Sequence, residues 1–158
     1  MKETMAIELK QLTKTFGSVV ANNKIDLSVK QGEILALLGE NGSGKTTLMN
    51  MLSGIYKPDS GSIYINGQLV TINSPEDAIR LGIGMIYQHF KLVDALSATD
   101  NIILGTREKG LFLKKSRFER VREISRRFGL DVDPEKKVYQ MSVSEKQTVE
   151  ILKVLYRK

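Results

Sequence analysis

A glycine-rich segment that ends in lysine and threonine has the residue types and the spacing needed to bind phosphate. Gly39, Gly44, Lys45 and Thr46 occupy the fixed places of the pattern G-x-x-x-x-G-K-[ST]. Such a loop points successive backbone N–H groups inward at negative oxygens, and the positive end of a following helix adds to the attraction. The residues predicted to contact phosphate are Gly39, Glu40, Asn41, Gly42, Ser43, Gly44, Lys45, Thr46 and Thr47.

Two side chains of this loop carry its chemistry. The Lys45 ammonium can lie against the β- and γ-phosphates of a nucleotide. The Thr46 hydroxyl can coordinate Mg²⁺, which keeps most of its waters and takes few protein ligands. The loop therefore predicts a site for a nucleoside triphosphate together with Mg²⁺.

A strand and a helix are needed to position this loop. The continuous apolar run 34–38 predicts a buried parallel strand before it, and apolar residues at helical spacing predict a helix over 46–53. A second apolar run, 83–87, predicts another central strand with Gln88 just past its end. Because ligand groups gather at the carboxyl ends of such strands, we expect Gln88 to meet whatever the loop binds.

The remaining pattern predicts an antiparallel layer in the first part of the chain and helices in the second. Asn66-Gly67 is a favoured hairpin turn, and Ser74-Pro75 predicts the start of a short helix that stops at Gly82. The predicted strands cover 5–12, 19–29, 62–66 and 68–72, and the later helices cover 99–104, 116–128 and 143–156. We therefore predict an α/β core with an antiparallel β subdomain over 1–91 and a helical subdomain over 92–158.

Composition excludes several classes of site. The chain has 158 residues, no cysteine and one histidine, His89, so disulfides, thiolate zinc, iron–sulfur clusters and histidine metal clusters are excluded. No stretch approaches the roughly 18 apolar residues of a membrane span. The net charge is +6, and much of the excess lies within residues 107–127, which we interpret as a solvated helix face or a contact face for a partner or an anionic membrane.

Four motifs in one order resemble the ATP-binding subunit of ABC transporters over nearly all of residues 6–158. They are Phe16-Gly17, the glycine loop, Gln88, and the segment 141–145 at a predicted helix start. The amino-acid sequences of residues 82–93 and 149–157 resemble those of the importer branch that serves simple sugars and nucleosides. The resemblance implies a P-loop NTPase core that binds ATP and Mg²⁺.

The resemblance also implies roles for single residues. Phe16 would stack on adenine, Gln88 would touch Mg²⁺ or the attacking water, and Lys45 and Gln88 would be the catalytic residues. Ser142 would address the γ-phosphate of ATP held by a second subunit. Val143 and Ser144 depart from the family's Leu-Ser-Gly-Gly-Gln, and Ser142-x-x-Glu145 can equally be a capping box.

The family needs an apolar strand ending in Asp-Glu and a later histidine, and the 158 residues contain neither. We therefore expect an amino-terminal part of a longer subunit, truncated before the later strands of its sheet, that binds nucleotide weakly and does not hydrolyse it.

The partners implied by the resemblance are a second nucleotide-binding domain, membrane permease subunits and, indirectly, a solute-binding protein. The expected location is cytoplasmic, peripheral on the inner face of the cell membrane through the permease, and no nucleic acid is expected. Two alternatives stay open at this point: a soluble ABC-type ATPase acting on nucleic acid or ribosomes, and a small P-loop kinase.

Overall fold

The computed structural model of the chain describes residues 4–106 and 114–157, without the side chains of residues 114–116. The chain divides into two units, Met1–Ile83 and Gly84–Lys158. Each unit has its own cluster of buried apolar residues. The division into an α/β core over 1–91 and a helical subdomain over 92–158 stays a prediction.

The first unit contains a four-stranded antiparallel sheet built from strands with alternating apolar residues. The order is β2-β1-β3-β4. Leu9 of β1 faces Leu27 of β2 on one side and Ile63 of β3 on the other. The strands are β1 Met5–Phe16, β2 Val19–Lys30, β3 Ser60–Ile65 and β4 Gln68–Val70. The predicted antiparallel layer is therefore confirmed, including the Asn66-Gly67 turn, where both residues have positive φ.

Helix α1, Lys45–Leu52, packs on this sheet through the apolar residues that predicted it. Leu48, Met51 and Leu52 are buried and share one cluster with Leu9 and Leu12 of β1. A second helix, α2 Pro75–Arg80, begins where the sequence predicts, because the Ser74 side chain accepts the N–H of Asp77 at 3.2 Å.

The amino end of α1 lies close against β2. Gly44 is its N-cap, with a φ of 86°. A Cβ at this position would overlap the carbonyl oxygen of Ala21 and lie 2.9 Å from the Asn22 side-chain amide. Glycine is required here for two reasons, the left-handed backbone and the lack of room for a side chain.

Two predicted strands are wrong. Residues 33–40 and 83–87 have no regular secondary structure, and the four strands of the described sheet do not include either segment. Ile34 is 98% exposed and Leu38 is 88% exposed, so the first run is not buried. The apolar pattern indicates a preference for burial, but a parallel strand also needs hydrogen-bonded neighbours, and none of the described strands supplies them.

The second unit is helical, as predicted. Its helices are α3 Ala98–Ile103, α4 Lys114–Phe128 and α5 Val143–Tyr156, and a 3₁₀ turn lies at Val138–Gln140. They enclose a core that includes Ala98, Ile102, Val121, Val138, Val149, Leu152 and Tyr156.

Helix α5 begins with the capping box that the sequence predicts. The Ser142 hydroxyl accepts the N–H of Glu145 at 3.3 Å, and the Glu145 carboxylate accepts the N–H of Ser142 at 2.8 Å. Lys136 donates to the same carboxylate at 2.6 Å. Lys136 first, and then Ser142, lowers the pKa of Glu145 to about 2.

The ionised carboxylate of Glu145 stabilises the fold through its hydrogen bonds with Lys136 and Ser142. We predict that acid removes this contribution to stability. Because the folded pKa of Glu145 is below the ordinary value, its contribution is complete above about pH 4.5 and is lost as the pH falls towards 2. Urea unfolding of the wild type and of Glu145→Gln should show a difference at neutral pH that shrinks in acid. A difference that stays constant down to about pH 2.5 would contradict this, and Glu119→Gln, an exposed carboxylate on α4, is the control.

Alanine at two loop glycines should separate backbone strain from crowding. Gly42 has a φ of 85° and open space around the position that a Cβ would take, whereas Gly44, at 86°, has β2 in the way. We expect Gly42→Ala to lower the free energy of unfolding by about 1–2 kcal/mol. Gly44→Ala should lower it by a further ~1–3 kcal/mol because β2 must move. Equal losses in urea unfolding would show that the close approach to β2 is unimportant.

Candidate functional site

The amino end of α1 is open to an anion. The first helical hydrogen bond runs from the N–H of Leu48 to the carbonyl of Gly44 at 2.9 Å, so the N–H groups before Leu48 have no acceptor within the helix. Gly44 has no side chain to cap them, and the first turn of α1 contains no acid. The macrodipole therefore acts at this end without a neighbouring negative side chain in that turn.

The Lys45 side chain folds back into its own loop. Its ammonium donates to the carbonyls of Gly39 and Glu40, each at 2.7 Å, and to the Ser43 hydroxyl at 3.1 Å. All three ammonium protons are thus used by loop oxygens. The positive charge of Lys45 therefore lies inside the loop.

The rest of the loop is accessible. Asn41, Gly42 and Thr46 are exposed, and Thr47 is partly buried at the start of α1. Thr46 fits a magnesium ligand by its chemistry, since it offers a neutral hydroxyl oxygen directly after Lys45. Among the described residues, no group of three or more His, Asp or Glu side chains could hold a metal ion.

Asn22 positions the loop, and sequence reasoning missed it. Its side chain is only 4% exposed, and its amide nitrogen lies 3.4 Å from the carbonyl oxygen of Gly44. The other side-chain atom, Oδ1, is buried without a hydrogen-bond partner in the part of the chain that the structure describes. An asparagine within an alternating strand looks like a solvent-facing residue, so the sequence offers no signal for this contact.

Phe16 lies at the end of β1, and the residue is 42% exposed. The Tyr56 ring packs against it in an edge-to-face arrangement, with ring centroids 5.2 Å apart and planes at 72°. Phe16 pairs with Val19 of β2, and Val19 lies about 10 Å along that strand from Asn22. The first unit therefore brings Phe16 and the glycine loop to the same β1–β2 hairpin.

Gln88 and Ser142 lie in the second unit. Gln88 is exposed in a bend that follows residues 83–87. Ser142 is exposed at the amino end of α5, and the next residue, Val143, is 71% exposed. The start of α5 is therefore accessible, although the Ser142 hydroxyl already accepts a hydrogen bond within the capping box.

Two charged residues of α5 fix the segment after Gln88. The Glu150 carboxylate accepts the backbone N–H of Lys91 at 2.6 Å, and the Lys153 ammonium donates to the carbonyl of Lys91 at 2.9 Å. Glu150 is 2% exposed, and burial lowers the pKa of Lys153. The sequence did not identify these positioning contacts, because the two residues look like an ordinary polar face of an amphipathic helix.

Asn101 holds the same segment two residues further on. Its side chain is fully buried, accepts the N–H of Val93 at 2.7 Å and donates to the carbonyl of Val93 at 3.1 Å. The segment that follows Gln88 is therefore attached both to α5 and to α3 within the second unit.

Comparison with known proteins identifies relatives for nearly the whole chain. The family described as "ABC transporter" matches residues 22–158. The nucleoside import ATP-binding protein NupA of Lactococcus lactis is 50% identical over 99% of this chain and 31% of its own length. The guanosine import ATP-binding protein NupO of Bacillus subtilis is 51% identical over 96% of this chain and 30% of its own length. The chain thus spans slightly less than a third of these relatives.

Solved structures share the fold. A nucleotide-free ATP-binding cassette from an ABC transporter is 25% identical, with a TM-score of 0.81 over 97% of this chain and 65% of that one. A dimeric bacterial ABC transporter cassette is 27% identical, with a TM-score of 0.77 over 96% of this chain and 69% of that one. No helix within residues 4–106 and 114–157 is long and apolar enough to cross a membrane.

The sheet, the glycine loop and the helical unit therefore agree with the matches in sequence and in structure. The expected fold class, a P-loop NTPase core with an antiparallel layer and a helical subdomain, is confirmed. The chain belongs to the ABC transporter family.

Proposed function

We propose that this chain is the nucleotide-binding part of an ABC importer subunit, which couples ATP binding and hydrolysis to the uptake of a nucleoside or a simple sugar. The observation that carries the proposal is the position of the Lys45 ammonium inside a loop that leads into the uncapped start of α1. A lysine ammonium and the N–H groups at the start of a helix are groups that bind phosphate oxygens, which supports the proposal.

The residues of the first unit supply the binding of ATP in this proposal. Lys45 contacts the β- and γ-phosphates, the N–H groups at the start of α1 bind the same oxygens, and Phe16 stacks on adenine. The Thr46 hydroxyl would hold Mg²⁺, which, when bound, neutralises charge on the transferred phosphate. Phe16 lies on the hairpin of β1 and β2, and Gly44 of the loop contacts the same hairpin, which supports this assignment.

In this proposal Gln88 is catalytic, and Ser142 contributes to the binding of ATP. Gln88 would orient the attacking water or touch Mg²⁺ through its neutral amide oxygen. Ser142, at the start of α5, would address the γ-phosphate of ATP held by a second nucleotide-binding domain, and the similarity to a dimeric cassette supports such a pairing. Val143 places a side chain where the family has a glycine, and Val143 is itself 71% exposed.

The transported solute is proposed from the relatives. The two that are 50% and 51% identical are a nucleoside and a guanosine import protein, whereas a ribose import protein of Rubrobacter xylanophilus is 42% identical. A nucleoside is therefore favoured over a simple sugar. The proposed partners are permease subunits in the membrane and, through them, a solute-binding protein, with the chain on the cytoplasmic side.

The 158 residues alone are proposed to bind ATP without hydrolysing it. The sequence contains neither an apolar strand followed by Asp-Glu nor a histidine after His89. Without a carboxylate to polarise water, the remaining groups can position phosphate but cannot activate the nucleophile. Phosphate release from these residues above the rate of a Lys45→Ala variant would contradict this part of the proposal.

We predict that Lys45→Ala weakens the binding of ATP and Mg²⁺ by roughly 10- to 100-fold, because one charge-assisted contact to phosphate is lost. Isothermal titration calorimetry of the folded chain measures the affinity. Lys57→Ala, which removes an exposed lysine outside the loop, is the matched control and should bind as the wild type does. Equal affinities for the wild type and Lys45→Ala would refute the phosphate site.

A further inference from the structure

The carboxylate of Asp59 holds the last residues of β1 before Phe16. It accepts the Lys14 ammonium, the backbone N–H of Thr15 and the Thr15 hydroxyl, each at 2.7 Å. The backbone N–H of Asp59 donates to the carbonyl of Thr13 at 2.9 Å. One residue of the turn after α1 is therefore bonded to each of the three positions that precede Phe16.

The same turn also contacts the Phe16 ring. The Tyr56 ring packs edge-to-face with it, and the N–H of Tyr56 donates to the carbonyl of Asn50 in α1 at 3.1 Å. The Lys14 ammonium lies 5.5 Å from the ring centroid, within reach of a cation–π interaction. The two contacts to the ring therefore come from Tyr56 and from a lysine that Asp59 fixes.

Fixing this ring in advance favours the binding of a base. A phenyl group at a strand end loses rotational freedom when a base stacks on it, and that loss weakens binding. Contacts that restrict the ring in the free protein reduce the loss, and Phe16 as a whole remains 42% exposed.

Asp59 keeps its negative charge well below neutral pH. Hydrogen bonds from Lys14 first, and then from Thr15, lower the pKa of Asp59 to about 2. The carboxylate is therefore ionised at neutral pH, and the ion pair with Lys14 is present there.

We propose that Asp59 is a positioning residue for base recognition, which acts through Lys14 and Thr15 on the stacking ring of Phe16. The inference rests on the proposed function, because it requires Phe16 to contact the base of ATP. A positioning role differs from a purely structural role for Asp59 in one respect. Loss of the carboxylate should weaken the binding of the base and leave the binding of the phosphates unchanged.

The comparison of two ligands separates these roles. ATP needs both Phe16 and the glycine loop, whereas inorganic tripolyphosphate needs only the loop. Calorimetric titration of Asp59→Ala with each ligand and Mg²⁺ should show ATP weakened by roughly 3- to 10-fold and tripolyphosphate unchanged, since stacking is lost only in part. Asp59→Asn keeps an acceptor for Thr15 but removes the charge beside Lys14. It should also weaken the binding of ATP and leave that of tripolyphosphate unchanged, and it replaces the alanine variant if that variant does not fold.

Asp26 provides a matched control on the same sheet. Its carboxylate accepts the N–H of Gln11 in β1 at 2.8 Å, much as Asp59 accepts that of Thr15, but it makes no contact with Phe16 in the described structure. Asp26→Ala should leave the ratio of the two affinities unchanged. A change in this ratio as large as that of Asp59→Ala would overturn the proposal.

A double-mutant cycle tests the pathway through the ring. Phe16→Ala should weaken ATP binding alone, and adding Asp59→Ala to it should produce no further loss. Three outcomes would each overturn the inference. Asp59→Ala could weaken the binding of ATP and of tripolyphosphate equally, it could affect the binding of neither, or the losses of ATP affinity in the double variant could be additive. If neither ligand binds in a manner that depends on Lys45, the proposed function fails as well, so the two failures are distinguishable.

Discussion

The approach of Gly44 to β2 is the constraint on which the rest of the first unit depends. It places the start of α1 against Ala21 and Asn22, and so fixes where the free N–H groups and the Lys45 ammonium lie relative to the sheet. Tyr56, in the turn after α1, contacts Phe16 at the end of β1. Both ends of this short helix therefore contact one hairpin, which fixes the distance between the glycine loop and Phe16.

Charged groups in the second unit act on the backbone in a similar way. Glu150 and Lys153 are one helical turn apart on α5, and they bind the N–H and the carbonyl of the same residue, Lys91. A buried carboxylate is costly unless it is hydrogen-bonded and paired, and here both conditions are met. The position of the segment after Gln88 therefore depends on the helix that begins at Ser142.

Much of the architecture could be predicted from the sequence because local signals determine it. Alternation gave β1 and β2, Asn66-Gly67 gave the turn between β3 and β4, and Ser74 and Ser142 gave two helix starts. Residues 34–38 and 83–87 were wrongly predicted as strands, since pairing partners are not a local property. Asn22, Asp59 and Glu150 were missed for the same reason: each acts on a residue distant in sequence. The roles of Phe16, Gln88 and Ser142 stay predictions.

The central claim is that the loop over residues 39–46 binds the triphosphate of ATP, with the Lys45 ammonium exchanging loop oxygens for phosphate oxygens. Amide chemical shifts, followed by NMR during titration with ATP and Mg²⁺, test this most directly. The account predicts large, saturable changes at Gly39–Thr46 and at the first N–H groups of α1, and also at Phe16. Changes confined to the basic helix α4, or none at the loop under saturating ATP, would contradict it.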